Sequence, residues 1–315
     1  MTAPIAFIFP GQGSQAAGMG RELATQFPVA AEVFAEADAA LGWPLSRLCF
    51  EGPDAELKLT ANTQPAILAV SVAATRVLAA HGIEPTVVAG HSLGEYSALV
   101  AAGGLPFADA LRLVRRRGEL MQQAVPEGAG AMAAILGLPS TAVEAHCRAA
   151  AEGQVCAPAN FNAAEQTVIA GHAAAVDRCC ERVIAAGGRA IRLPVSAPFH
   201  CSLMRPAQAA LEPDLRRAAF SPLAVPLITN VDAAVITSGE VACDSLVRQV
   251  VAPVLWERSM RVLLATEVTQ IVEVGPGRVL SGLLRRMDRS RKPLNVEDRA
   301  SLDATLAALR PHQAG

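Results

Sequence analysis

A serine stands between two glycines in Gly90-His91-Ser92-Leu93-Gly94, directly after the β-like run Thr86-Val87-Val88-Ala89. That order is the pattern of a strand-to-helix elbow: the glycines relieve the crowding of a sharp turn and leave the hydroxyl exposed at the start of the next helix. The free N–H groups and positive dipole end of that helix, expected over residues 95–102, would face the negative charge that develops in acyl transfer. Ser92 is therefore a candidate nucleophile. A tight βα turn carrying an ordinary surface serine would give the same pentapeptide.

A serine nucleophile needs a base, and six histidines are available: His81, His91, His146, His172, His200 and His312. His312 lies in a short C-terminal tail, His146 and His172 fall in a central segment of different character, and His81 ends a helix before Gly82. His200 follows Ser196-Ala197-Pro198-Phe199, where the chain returns from that segment, and clefts form at such junctions. It is the candidate base, or else a histidine that closes a loop. Cys201 beside it suggests a Cys–His pair, but adjacent residues rarely point their side chains at each other, so it reads as a bystander thiol.

The segment from Phe107 to Val125 has helical spacing and carries Arg112, Arg115, Arg116 and Arg117. Only Arg117 has exclusively apolar neighbours three and four positions away, namely Leu113, Val114, Leu120 and Met121. A guanidinium on a buried face requires an anionic partner. That partner is either an internal Asp or Glu or the carboxylate of a substrate gripped by the planar fork.

Two glycine-bearing turns complete the candidates. Pro10-Gly11-Gln12-Gly13-Ser14-Gln15 follows the first strand and lets backbone approach a reacting group, yet it lacks the spacing of a phosphate or dinucleotide loop. Gly275-Pro276-Gly277 reads as a tight βα turn.

The elements that must position these residues alternate. Strand Ile5–Phe9, a helix near Gln64–Ala80, strand Thr86–Ala89, the elbow helix and the Phe107 helix form an α/β series with buried parallel strands. After Pro126-Glu127-Gly128-Ala129-Gly130 the order becomes βαββαβ: strand 131–138, helix 141–152, strands 155–161 and 166–170, helix 173–186 and strand 189–195, a ferredoxin-like unit. The α/β pattern then resumes with strand 227–230, helices near 245–251 and 256–265, strand 270–274 and a helix after Gly275. A small domain at 128–196 is thus expected inside a large one built from 1–127 and 197–315.

The 315 residues are 52% hydrophobic, enough for a large core, and the net charge of -2 offers no field to attract nucleic acid. The N-terminus has no basic region before its short apolar run, and the apolar stretch from Pro65 to Ala80 is interrupted by Ser71, Thr75 and Arg76, so neither a signal peptide nor a membrane span is expected. Seven cysteines (Cys49, Cys147, Cys156, Cys179, Cys180, Cys201 and Cys243) form an odd set without C-x-x-C spacing. They suggest no disulfide framework or metal site and fit a cytoplasmic protein.

Seven motifs occur in order: FPGQGSQ at Phe9–Gln15, GHSLGEYSAL at Gly90–Leu99, RGELMQ at Arg117–Gln122, NFN at Asn160–Asn162, PFH at Pro198–His200, LVRQ at Leu246–Gln249 and VEVGPG at Val272–Gly277. Together they span essentially the whole chain, which resembles the malonyl-CoA:acyl carrier protein transacylases. The resemblance implies an α/β-hydrolase-like large domain with an inserted ferredoxin-like small domain. It also implies Ser92 as nucleophile, His200 as base, Arg117 as the clamp on a malonyl carboxylate, and the amides of Gln12 and Leu93 as an oxyanion hole. The main-chain carbonyl of Gln249 would orient the histidine, and Phe199 would crowd a 2-methyl branch. Where some members have an asparagine before the proline that follows, this chain has Val250-Val251-Ala252-Pro253, so that residue's role does not carry over. The implied substrates are malonyl-CoA and the phosphopantetheine thiol of acyl carrier protein, with no cofactor, no metal and a monomeric enzyme of fatty acid biosynthesis. Three rival readings are a thioesterase, an acyltransferase serving a polyketide synthase, and a non-catalytic carrier-binding module. The first would want an acidic residue and a histidine late in the chain.

Overall fold

The computed structural model describes residues 4–195 and 197–309. His312 and the domain-boundary residue Ser196 lie outside the described residues. Among the described residues there are ten strands: β1 Ile5–Phe9, β2 Val87–Gly90, β3 Gly130–Leu136, β4 Cys156–Ala163, β5 Gln166–His172, β6 Arg189–Arg192, β7 Leu227–Ile228, β8 Val235–Ile236, β9 Gln270–Val274 and β10 Leu294–Val296.

Six of them form one sheet in the order β10-β9-β1-β2-β7-β8. All its pairings are parallel except β7 with β8. Every residue of β1 and β2 is buried, as a parallel strand covered by helices on both faces requires, and this is why both read in the sequence as unbroken apolar runs. Helix Thr60–Ala80 packs inside the core on one side of the sheet. By length and composition it could cross a membrane, which the shorter reading from Pro65 did not anticipate, but it is mostly buried within the protein.

The other four strands form an antiparallel sheet in the order β4-β5-β3-β6, with helices Ser140–Ala151 and Ala173–Ala185. This is the ferredoxin-like order expected from βαββαβ. Strand β6 stops at Arg192, because Pro194 cannot donate to a ladder. In its core the sulfurs of Cys147, Cys156 and Cys179 lie within 4.8 Å of one another, a convergence from three elements that linear spacing did not reveal. All seven cysteines are free thiols.

The two sheets meet along β4. Its residue Asn160 bridges to Val254 of the large sheet's flank, with Phe161 N–H donating to the Val254 carbonyl at 2.9 Å and Val254 N–H to the Ala159 carbonyl at 2.9 Å. Helices Arg21–Gln26, Pro28–Leu41, Leu45–Glu51, Asp54–Leu57, Arg205–Arg217 and Arg299–Leu309 are additional to the sequence reading.

Candidate active site

Ser92 sits at the end of β2, where helix Gly94–Ala101 begins. Its φ of 52° is in the left-handed region, unusual for a residue with a side chain. Both flanking glycines are required by contact: a Cβ on Gly90 would lie 1.9 Å from the Gly94 carbonyl oxygen, and one on Gly94 would lie 2.1 Å from that of Phe9. A Cβ on Gly11 would meet the His91 carbonyl oxygen at 2.5 Å, so the first glycine turn backs directly against the elbow. His200 also has positive φ, 59°. Such conformations cost about 1–3 kcal/mol each and persist only where the surroundings impose them.

The imposed geometry brings the two side chains together. Ser92 Oγ lies 2.7 Å from His200 Nε2, and His200 Nδ1 lies 2.9 Å from the Gln249 carbonyl oxygen. A carbonyl only accepts, so Nδ1 carries the hydrogen and Nε2 is left to accept from the serine hydroxyl. Burial first, and then the Arg117 charge, hold the His200 pKa down to about 3, which keeps the imidazole neutral.

Arg117 is 2% exposed, in agreement with its helical spacing, on helix Phe107–Gln123. Among the described residues no Asp or Glu forms an ion pair with it. Its Nη1 donates to Gln64 Oε1 at 2.7 Å, and its Nη2 donates to Gln249 Oε1 at 3.0 Å and to Ser92 Oγ at 3.1 Å. Its Nε finds no partner among the described residues, and the guanidinium carbon stands 5.7 Å from the centre of the Tyr96 ring. The cation is thus solvated by neutral oxygens and remains uncommitted to an anion.

The sequence reading missed the residues that hold this arrangement. Asn230 Oδ1 accepts from Ser92 N–H at 2.7 Å, while its Nδ2 donates to the Gly90 carbonyl at 2.6 Å. His91 Nε2 lies 2.8 Å from Asn162 Oδ1 on β4, and burial lowers its pKa, so the neutral ring donates across the boundary between the sheets. Glu95, fully buried, accepts from Gln249 Nε2, Asn230 N–H and Ser245 Oγ at 2.7, 3.2 and 3.3 Å. Burial pushes its pKa up to about 7 against the opposing effect of those bonds and of Arg117.

A cavity of about 100 Å³ opens on these groups. Ser92, His200, Arg117, Gln12 and Leu93 line it together with Phe199, while Gln249 supports Arg117 and His200 from behind. Among the described residues, neither the Gln12 nor the Leu93 main-chain N–H makes a hydrogen bond, while the Gln12 side-chain amide donates to Thr60 Oγ1 at 3.1 Å. Of the other described histidines, His81 Nδ1 bonds the Val77 carbonyl at 2.8 Å, His172 Nδ1 accepts from Val155 N–H at 2.9 Å, and His146 stands on helix Ser140–Ala151, which does not line the cavity. The Cys201 sulfur turns to the Pro198 carbonyl at 3.1 Å and away from the imidazole.

A partly exposed serine paired with a buried histidine, with a cation uncommitted to an anion beside them, is chemistry for moving an acidic acyl group, and comparison with known proteins points the same way. The acyl transferase domain model matches residues 6–309. The chain belongs to the acyl transferase family. Within it, its relatives include malonyl CoA-acyl carrier protein transacylases. The Escherichia coli O157:H7 protein of that name is 52% identical over 284 residues, 90% of this chain and 92% of the relative. That of Bacillus subtilis strain 168 is 46% identical over 308 residues, 97% of each chain. Among solved structures, the Coxiella burnetii transacylase superposes with a TM-score of 0.96 at 42% identity, covering 98% of both chains. A malonyl-transacylase in complex with a type II polyketide synthase acyl-carrier protein has a TM-score of 0.95 at 46% identity, covering 97% of this chain and 100% of that one.

Proposed function

We propose that this enzyme moves a malonyl group from malonyl-CoA to the phosphopantetheine thiol of an acyl carrier protein through malonyl-Ser92. His200 Nε2 takes the hydroxyl proton as Ser92 Oγ attacks the thioester carbonyl. The tetrahedral oxyanion is received by the amides of Gln12 and Leu93, and on collapse the coenzyme A thiolate leaves with the proton from His200. The carrier thiol then reverses these steps, attacking the ester and returning the proton to Ser92. Nucleophile, base and cation are all side chains of one chain, so the reading calls for no cofactor or metal and for a monomer. We assign the small domain to residues 128–196 and place the reaction in the cytoplasm, whose reducing conditions suit seven free thiols.

The observation that carries this reading is the uncommitted Arg117 guanidinium 3.1 Å from the Ser92 hydroxyl. It lies where the free carboxylate of a Ser92-bound malonyl group can reach it, and it gives a neutral acetyl group nothing to pair with. A thioesterase is disfavoured because the histidine is oriented by a main-chain carbonyl, with no acidic third member, and nothing in the site favours water over the carrier thiol.

Intact mass after mixing with malonyl-CoA tests the reading. A single malonyl adduct is expected on the parent and none on Ser92→Ala, and an adduct of equal occupancy on the variant would move the nucleophile elsewhere.

A further inference from the structure

We infer that Glu95 is the positioning residue of this site: it holds the Gln249 amide in the one orientation that serves both Arg117 and His200. The inference rests on the transacylase reading and adds to it a residue that touches neither the acyl group nor the reacting atoms.

The Gln249 side chain has an oxygen at one tip and a nitrogen at the other. Arg117 Nη2 can only donate, so it must meet the oxygen, as it does at 3.0 Å. What enforces this is the other tip, whose Nε2 donates to Glu95 Oε2 at 2.7 Å and to the Ser92 carbonyl at 3.0 Å. Glu95 Oε2 also accepts from Asn230 N–H and has no hydrogen to offer, and a proton held by Glu95 sits on Oε1 toward Ser245 Oγ, so a flipped amide would set oxygen against oxygen at Glu95 and N–H against N–H at Arg117. Glu95 thereby fixes the amide at both ends. Gln249 also bears the carbonyl that accepts from His200 Nδ1, so anchoring the Gln249 side chain also anchors the acceptor of the base.

Glu95 reaches the nucleophile by a second route. Its Oε2 accepts from Asn230 N–H, and Asn230 in turn holds the Ser92 amide and the Gly90 carbonyl on either side of the elbow. One buried carboxylate therefore touches the supports of nucleophile, base and cation. It does so from within helix Gly94–Ala101, close to Ser92, with no intervening loop to loosen the linkage. When ionised, Glu95 also faces the Arg117 charge across a single amide, which offsets part of the cost of burying the guanidinium while leaving it free for substrate.

The geometry separates positioning from charge. A glutamine at 95 can accept from Gln249 and Asn230 with its oxygen and donate to Ser245 Oγ with its nitrogen, satisfying every bond without the charge. An alanine leaves Gln249 Nε2 and Asn230 N–H without that acceptor and frees the amide to turn.

The test is the rate of Ser92 acylation, followed by intact mass with malonyl-CoA and separately with acetyl-CoA, for the parent, Glu95→Ala and Glu95→Gln, with thermal unfolding to confirm folding. Glu95→Ala should acylate with malonyl at least tenfold more slowly, and its malonyl-to-acetyl ratio should fall several-fold, because Arg117 loses its alignment. Glu95→Gln should recover most of the lost rate and ratio. A folded Glu95→Ala variant at the parent rate overturns the inference. So do malonyl and acetyl rates that fall in equal proportion, or a glutamine variant no better than alanine. If alanine fails to fold, the glutamine variant decides: a malonyl-to-acetyl ratio as poor as that of Arg117→Ala overturns the inference, and a near-parental ratio upholds it. A parent that accepts no malonyl group overturns the transacylase reading itself, a result distinct from a working parent matched by its Glu95→Ala variant.

Discussion

At Arg117 the choice of neutral partners decides selectivity. Each charge-assisted hydrogen bond to a carboxylate is worth about 1.5–3 kcal/mol, and an acetyl group leaves the guanidinium as it found it. Arg117→Ala should slow malonyl transfer by two or more orders of magnitude and shrink or invert the preference over acetyl-CoA, measured as the ratio of kcat/KM values. A folded variant that is slow with malonyl-CoA yet keeps the parent's preference would assign Arg117 a structural role only. The same charge acts on the base. Arg117 helps to hold His200 at a pKa of about 3, so a malonyl carboxylate that pairs with Arg117 relieves this depression as it binds. The acidic substrate thus strengthens the base that processes it. His200 should stay neutral well below the ordinary histidine value of 6.5, and acylation should not be lost in a step centred there. A rate profile from pH 5 to 8 that falls through 6.5 with a single protonation would contradict it.

The elements deliver these residues through close contacts. A Cβ on Gly118 would lie 2.7 Å from both the Ala61 Cα and the Thr60 carbonyl oxygen, so the Arg117 helix abuts the first turn of helix Thr60–Ala80, the turn that presents Gln64. Gly118→Ala should wedge the helices apart and lengthen the Gln64–Arg117 bond. The expected result is a malonyl KM raised several-fold with the chain still folded, and unchanged kinetics would show that the crossing has slack. Much of this architecture was legible. Strands β1 and β9 match the sequence reading residue for residue, β1 as a bare apolar run and β9 by its Ile271, Val272 and Val274 before the Gly275 turn, and the burial of Arg117 followed from its spacing. The four helices between Arg21 and Leu57 were not, since three are short, the series is punctuated by Pro28, Pro44 and Pro53, and the longer Pro28–Leu41 is rich in alanines that give little contrast. Helix Arg205–Arg217 was hidden by Pro206 and Pro213, the first at its N-terminal turn and the second inside it. Gln64, Asn162 and Asn230 were missed because a polar residue reads as solvent-facing until its partner is known, and their partners lie far away in sequence. Glu95 left one signal: it is the only charge in Gly94–Ala101, a helix otherwise without ionisable residues apart from Tyr96.

Across the whole molecule, two buried groups set opposing pH dependences. Glu95, raised from 4.5 to about 7, holds a proton in the folded state that the unfolded chain has released, so its contribution to stability is lost as pH rises through that interval. His200, lowered from 6.5 to about 3, is protonated first in the unfolded chain, so stability falls as pH drops through that interval. A His200→Gln variant keeps only the first effect. Its urea midpoint relative to the parent should rise as the pH is lowered from 7 to 5, and a constant difference would count against a buried neutral imidazole. On the surface, Arg115 and Arg116 are engaged by Glu119 and Asp214, whereas Arg285, Arg286, Arg289 and Lys292 are exposed without an acidic partner among the described residues. Arg286 reaches Gln166 at the β4–β5 turn, so this cluster lies where the two sheets adjoin. If it receives an acidic carrier, transfer should weaken with salt, and charge reversal at Arg285 and Arg286 should raise the carrier's KM; an unchanged KM would exclude the cluster. The insertion of one sheet within the other also orders events during synthesis. Strands β3 to β6 leave the ribosome as one continuous stretch and can pair at once, while β1, which needs β9 beside it, waits more than two-thirds of the chain for its neighbour. Until then the most apolar strand of the protein has an open edge, so the nascent chain is most prone to aggregate when the smaller sheet is already complete and β9 has yet to cover β1.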